Sequence, residues 1–370
     1  VKVAIPNEQS PNETRVAAVP DSVVKMKGKQ LDVVIESNAG QGAFISDIAY
    51  LDAGAKVVST SQELYEDSDL ILRVGPPQES EIEMMPKGSI LLGLLQPAHN
   101  GQIIAKLASV GVSAFSLELL PRISRTQSMD ALSSQAALAG YQSVITGASR
   151  LPKIMPMLMT AAGTLVPARV FVLGAGVAGL GAIATARRLG AIVEAFDVRR
   201  AAREEVESLG AKFVELPLEA AEGAGGYASA QSEEYLAKQR ELLTTKIANA
   251  DLVITTAAIP LGRAPILLTK SMIDEMRAGS VIVDLAAQSG GNTELTKEGE
   301  DVTYRGITII GESNLATKVP SHASQTYSRN LFNVLSLLIS GDSVSVNLED
   351  EILSAMCLCH DGQLLWKPKA

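Results

Sequence analysis

Gly174, Gly176 and Gly179 stand in the spacing G-x-G-x-x-G within "RVFVLGAGVAGLGAIATARRLGAIVEAFDVR". They follow a β-branched run and open a helix, the context that makes such a trio informative. Gly174 permits a tight turn, Gly176 lets the backbone approach a pyrophosphate, and Gly179 lets helix pack on strand. The helix N-terminus adds amide donors and a positive dipole. Asp197 lies at the end of the next strand, eighteen residues after the last glycine. A carboxylate there accepts both adenosine ribose hydroxyls and repels a 2′-phosphate. The implied chemistry is dinucleotide binding with NAD(H) preferred over NADP(H), the site including Ala175, Val177 and Ala178 in the turn and Val198 and Arg199 after the aspartate. Arg199 and Arg200 pull the other way, because an arginine beyond this strand can accommodate a 2′-phosphate. Asp197 outweighs them: it holds the expected contact position, whereas arginines at a helix start are more often solvated. The first domain lacks an equivalent trio, so one dinucleotide site is expected.

A second concentration of polar groups is "PRISRTQSMDALSSQAALAGY", Pro121 to Tyr141, with two arginines, two glutamines, an aspartate and four serines. A dehydrogenase acting on a small substrate needs a general acid or base, most often His, Lys or a carboxylate. The chain has three histidines, and His99 is the one that invites such a role, although a lone loop histidine is more often structural or solvated.

These groups need elements to position them. With 370 residues, 46% hydrophobic and 20% charged, the chain is long enough for two domains and apolar enough for large cores. Short β-rich runs alternate with helical stretches: "VKVAI", "LDVVIE", "AKVV", "DLILRV", "SILLGLL" and "VSAFSLEL" first, then "ARVFVLG", "AIVEAFD", "AKFVEL", "DLVITTA", "SVIVDL" and "GITIIG". That alternation implies parallel βαβ units in two doubly wound sheets. The expected fold is α/β: two Rossmann-like domains joined by long helices, residues 1–132 with 322–370 in one and 133–321 in the other, NAD(H) between them. Ala131 to Arg150 reads as a connecting helix ending before Leu151-Pro152. Ser321 to Ile339 reads as a helix returning to the first domain, and the tail as short strands or a hairpin.

Net charge −9 opposes a phosphate backbone, so nucleic acid is not an expected partner. Cys357 and Cys359 cannot make a disulfide framework, and too few histidines accompany them for a four-ligand metal site; no metal is expected, and a reducing cytosol fits best. There is no secretory signal, and the apolar run Val170 to Ala186 is seventeen residues long, short of a spanning helix.

"P-N-E-x-x-P-N-E-T-R-V-A-x-x-P" from Pro6, "AGQGAFISDIAYLDAGAKV" and "DLILRVGPP" resemble the amino-terminal domain shared by alanine dehydrogenases and the NAD-binding subunit of proton-translocating transhydrogenase. Alanine dehydrogenases carry a substrate lysine where this chain has Gly75, a histidine where it has Gln96, and an aspartate where it has Gln288. None of these replacements exchanges protons at neutral pH. "PRISRTQSMDALSSQ" is similar to the transhydrogenase segment that surrounds the nicotinamide. Carried over by position, the resemblance implies Arg122, Gln127, Asp130 and Ser133: Gln127 and Ser133 can hydrogen-bond carboxamide or ribose, and Asp130 can orient Arg122. Ser124, Ser128 and Ser134 read equally well as helix capping. "EAAEGAGGYASAQSEEY" is similar to the family's mobile loop and makes Tyr227 a lid residue. In "VITTAAIPLGRAPILLT", Ala257 and Ala258 leave room for a nicotinamide against the backbone.

The resemblance covers nearly the whole chain and implies an NAD(H)-binding homodimer. It further implies an NADP(H)-binding partner, a membrane-spanning proton-channel component, and a peripheral place on the cytoplasmic side of the membrane, or the matrix side in a eukaryote. The chain is then either a separate soluble subunit or an excised domain. Two other readings remain: a soluble NAD-dependent amino-acid dehydrogenase, and a non-catalytic NAD-binding regulatory module.

Overall fold

The computed structural model describes residues 1–216, 233–259, 262–341 and 343–367. In chain order the strands are β1 (Lys2–Ile5), β2 (Asp32–Glu36), β3 (Lys56–Val58), β4 (Leu70–Leu72), β5 (Ile90–Gly93) and β6 (Ser113–Ser116). A hairpin of β7 (Leu158–Thr160) and β8 (Gly163–Leu165) precedes β9 (Arg169–Leu173), β10 (Ile192–Phe196), β11 (Lys212–Phe213), β12 (Leu252–Thr255), β13 (Val281–Asp284), β14 (Asp301–Tyr304) and β15 (Ile307–Ile310). The chain ends with β16 (Ile339–Ser340), β17 (Ser343–Val344), β18 (Cys357–His360) and β19 (Gln363–Leu364). It divides into two compact units, Val1–Gln135 with Thr317–Ala370, and Ala136–Ala316.

The first unit holds the sheet β19-β18-β6-β5-β4-β1-β2-β3, in which β1 to β6 pair in parallel. Strand alternation sends Val3, Val33 and Leu70 into one core and Ala4, Val34 and Ile71 into another. Both faces are buried, which is why these strands read as continuous apolar runs. The returning helix Pro320–Leu338 starts with proline in its first turn and buries Tyr327, Leu331, Val334, Leu335 and Leu338 in the first of these cores, a stripe at helical spacing. The tail forms the expected hairpin, β18 with β19, added antiparallel to β6.

A bulge in β18 pairs Cys357 with Phe115 but Cys359 with Ala114, so two residues oppose one step of β6. The two thiols consequently enter opposite cores. Burial pushes Cys357 up to about 12 and Cys359 up to about 11. Among the described residues no group of three or more His, Cys, Asp or Glu is arranged to hold a metal ion.

The second unit holds the sheet β11-β10-β9-β12-β13-β15-β14, parallel except for β14. Its order reverses between β9 and β12, the switch point at which doubly wound sheets bind ligands. The apolar run at 170–186 is divided there into β9 and the helix Val177–Arg188. No helix among the described residues is long and apolar enough to cross a membrane.

Candidate functional site

The phosphate-binding turn occupies that switch point. Gly174 follows β9 with φ +99°, a conformation an L side chain rarely adopts. A Cβ there would lie 2.4 Å from Thr256 Oγ1, a hydroxyl that reaches back to the Leu173 and Gly174 carbonyls at 3.2 and 3.0 Å. Gly176 is exposed, and a Cβ on it would meet nothing within 4 Å. It is the N-cap of the helix Val177–Arg188, which no side chain caps among the described residues. Its amides and dipole are therefore presented to open space, as a dinucleotide pyrophosphate requires. Gly179 is buried behind the turn, where a Cβ would stand 1.8 Å from the Gly174 carbonyl oxygen.

One residue behind this turn escaped the sequence reading. Gly140, in the helix Ala131–Arg150, would place a Cβ 2.0 Å from the carbonyl oxygen of Ala178. Only glycine allows that helix so close to the turn. The sequence carried no signal beyond a glycine in a helix.

Asp197 ends beside the turn, and its Oδ2 accepts the Ala175 N–H at 2.7 Å. Arg199 departs from the solvated reading: its Nε reaches Oδ1 at 3.0 Å and its Nη2 reaches Oδ2 at 3.0 Å. Its backbone N–H also donates to Oδ1 at 2.8 Å. The fork arises because residues 197 and 199 flank one tight bend, where planar guanidinium and carboxylate match bidentately. Val198 is half-buried and Arg200 is exposed. We expect Asp197→Ala to weaken NADH binding about tenfold or more, as loss of a charge-assisted hydrogen bond does, while NADPH binding strengthens or stays unchanged. Parallel fluorescence titrations of the two nucleotides check this; equal weakening of both would contradict it.

Across the switch point, Ala257 is half-buried and Ala258 exposed. The Ala257 N–H and C=O both bond the Asn292 side chain, at 3.0 and 2.8 Å. Within the second unit the structure thus gathers Gly174 to Gly179, Asp197 to Arg199 and Ala257 at one end of β9, β10 and β12. Gln288 is exposed on the short 3-10 helix Ala287–Ser289.

The segment carrying Arg122 to Ser133 belongs to the first unit. A 3-10 helix, Ser124–Met129, buries Thr126 and Met129 and leaves Arg122 and Gln127 exposed. Thr126 Oγ1 donates to the Pro121 carbonyl at 2.6 Å. Asn330 and Asn333 of the returning helix donate to the Ser128 carbonyl at 2.9 and 2.8 Å. Asp130 caps the long helix: its Oδ1 accepts the Ser133 N–H at 2.9 Å and its Oδ2 the Ser133 hydroxyl at 2.6 Å. Asp130 and Ser133 are thus fastened to each other at the helix start, a local role beyond orienting Arg122. The result is a fixed base with a polar outer face. Tyr227 and the proposed lid lie outside the described residues.

The first unit has a switch point of its own, between β1 and β4, and its own side chains fill it. Glu8 accepts the Val74 N–H at 2.5 Å and the Gly75 N–H at 3.3 Å, with Arg73 Nη2 at 3.4 Å. Arg73 also reaches Glu81 at 2.7 Å and the Gly75 carbonyl at 2.8 Å, and Tyr327 donates to the Arg73 carbonyl at 2.8 Å. Gln96, at φ +47°, donates its N–H to Glu118 at 2.9 Å. His99 is exposed in the turn beyond. Glu8 and Glu118 are acids beside Gly75 and Gln96 that the sequence reading passed over. Both are committed to backbone amides, and burial raises both above the ordinary carboxylate value.

For Glu8, desolvation outweighs the opposing Arg73 charge. The native state therefore holds this proton more tightly than the unfolded chain does. Its contribution is full below the unfolded carboxylate value and is lost as pH rises through the raised native one. Between about pH 5 and 7 we expect Tm to fall less with rising pH in Glu8→Gln than in the parent, whatever the offset between the two curves. Parallel slopes in a calorimetric series would contradict this.

Residues 4–139 match the family described as alanine dehydrogenase/PNT, N-terminal domain, and residues 143–367 match its C-terminal domain. The chain is 44% identical to an NAD(P) transhydrogenase subunit alpha chain of Rhodospirillum rubrum, over 99% of this chain and 98% of that one. A crystal structure of transhydrogenase from Sinorhizobium meliloti is similar at TM-score 0.91 and 44% identity, covering 98% of this chain and 100% of that one. An L-alanine dehydrogenase structure is similar at TM-score 0.84 and 26% identity, covering 99% and 97%.

Proposed function

The chain belongs to the alanine dehydrogenase/PNT family, and from that premise we propose that it is the NAD(H)-binding component of a proton-translocating NAD(P) transhydrogenase. The observation that carries this reading is the open, uncapped turn at Gly176 beside Asp197, in a chain so similar to transhydrogenase alpha subunits. Gly174, Ala175, Gly176, Val177, Ala178 and Gly179 hold the pyrophosphate by backbone contacts and helix dipole. Asp197, Val198 and Arg199 hold the adenosine end, and Ala257 and Ala258 flank the nicotinamide. When bound, the nicotinamide supplies a position that gives or accepts hydride.

In this reading Arg122, Gln127, Asp130 and Ser133 orient the nicotinamide from a base fastened by Thr126, Asn330 and Asn333, and Tyr227 covers it. No residue is required to abstract a substrate proton, which suits Gly75, Gln96 and Gln288. The exchange partner is NADP(H) on a separate component, a membrane component couples the exchange to proton movement, and two copies of this chain associate on the cytoplasmic side, or the matrix side in a eukaryote. The competing amino-acid dehydrogenase reading makes an opposite forecast. With NAD+ and L-alanine, the purified chain should bind nucleotide yet form no NADH at 340 nm above background. Steady alanine-dependent formation would favour the dehydrogenase.

A further inference from the structure

Asn292 is fully buried behind the end of β12, and its hydrogen bonds leave its side-chain amide no unused donor. Oδ1 accepts the Ala257 N–H at 3.0 Å, while Nδ2 donates to the Ala257 carbonyl at 2.8 Å and the Pro265 carbonyl at 2.9 Å. The amide pairs with both main-chain groups of Ala257 as a neighbouring strand would. The backbone of Asn292 is fixed in turn. Its N–H donates to Asp284 Oδ2 at 2.6 Å, and its carbonyl accepts the Leu267 and Leu268 N–H groups at 2.8 and 3.0 Å.

Asp284 is also fully buried and ends β13. Besides Asn292 it accepts the Ala286 and Thr293 N–H groups at 3.0 and 3.3 Å and the Thr296 hydroxyl at 2.7 Å. A continuous set of bonds therefore runs from β13 through Asn292 to Ala257, and through the adjacent Thr256 hydroxyl to Gly174. Because Asn292 engages both the N–H and the C=O of Ala257, that residue offers a ligand a surface rather than a strong hydrogen bond.

We propose that Asn292 is a positioning residue for the nicotinamide end of the dinucleotide, clamping the Ala257 peptide that the ring lies against. The inference rests on the dinucleotide reading given above. It separates the two halves of the ligand: the turn and Asp197 hold the adenosine diphosphate portion, and Asn292 sets the wall at the other end.

The test compares NADH with ADP-ribose, which lacks the nicotinamide, by calorimetric titration of Asn292→Asp and Asn292→Ser. Asp keeps the shape and loses both donors; Ser removes the amide, and is read in the same way if Asp fails to fold. NADH affinity should fall about 10- to 100-fold, as expected when two buried carbonyls lose their donors, with ADP-ribose affinity within about twofold of the parent. Equal weakening of both ligands would make Asn292 merely structural and overturn the proposal, as would unchanged NADH affinity. A parent chain that binds neither ligand would instead overturn the dinucleotide reading beneath it.

Discussion

Gly179→Ala should abolish measurable NADH binding, raising Kd by more than about 100-fold, and should lower stability by about 1–3 kcal/mol, the range for overpacked sites. The added methyl would stand 1.8 Å from the Gly174 carbonyl oxygen and 2.8 Å from its carbon. Neither atom belongs to a flexible side chain, so the start of the helix must move off the turn. Gly176→Ala provides the contrast. Its Cβ enters open space at φ −77°, so Tm should hold while affinity falls, because that space is where the pyrophosphate approaches. Calorimetry and nucleotide titration on the pair check both statements. Normal NADH binding by Gly179→Ala, or a Tm loss in Gly176→Ala as large as its partner's, would contradict the assignment of packing space to one glycine and ligand space to the other.

The second large effect concerns rate rather than affinity. Gln127 is exposed on a 3-10 helix whose inward residues, Thr126 and Met129, carry the packing, so Gln127→Ala leaves the fold alone. If Gln127 orients the nicotinamide, its loss should slow hydride exchange with the NADP(H)-binding component about 10- to 100-fold, the scale of a misplacement near 1 Å. NADH affinity should change less than about threefold, since most of the ligand is held elsewhere. Stopped-flow exchange with matched titrations reads the two separately. A parental rate would remove Gln127 from the site; loss of affinity in step with rate would make it a binding residue.

Much of this architecture is legible in the amino-acid order because parallel strands buried on both faces must be continuous apolar runs. "VFVL" and "LVIT" could be recognised without knowing their neighbours. The turn at Gly174 is equally legible, since each glycine there answers a local requirement. The antiparallel edge β14 and the hairpin β7 with β8 were not: both are short, and what distinguishes them is which strand they pair with. The 3-10 helix Ser124–Met129 escaped notice for a related reason. Its shape is maintained by Asn330 and Asn333, some 200 residues away along the chain, and no local pattern encodes those bonds.

Site residues divide along the same line. Asp197 was found by its distance from the glycines, but its pairing with Arg199 depends on the bend between them. Gly140 and Asn292 carry no motif. One matters because another helix comes within contact of it, the other because a strand end does, and both contacts are tertiary. Glu8 was quoted within a family segment, yet its engagement by Val74 and Gly75 depends on β4 lying beside β1.

The central claim is that this chain supplies the NAD(H) half of a two-nucleotide hydride exchange. It is tested most directly by mixing the purified chain with an NADP(H)-binding transhydrogenase component and following reduction of an NAD analogue by NADPH, each protein omitted in turn. The account predicts rapid turnover only when both are present. Absence of turnover with a chain that demonstrably binds NADH, or equal turnover when this chain is left out, would contradict it.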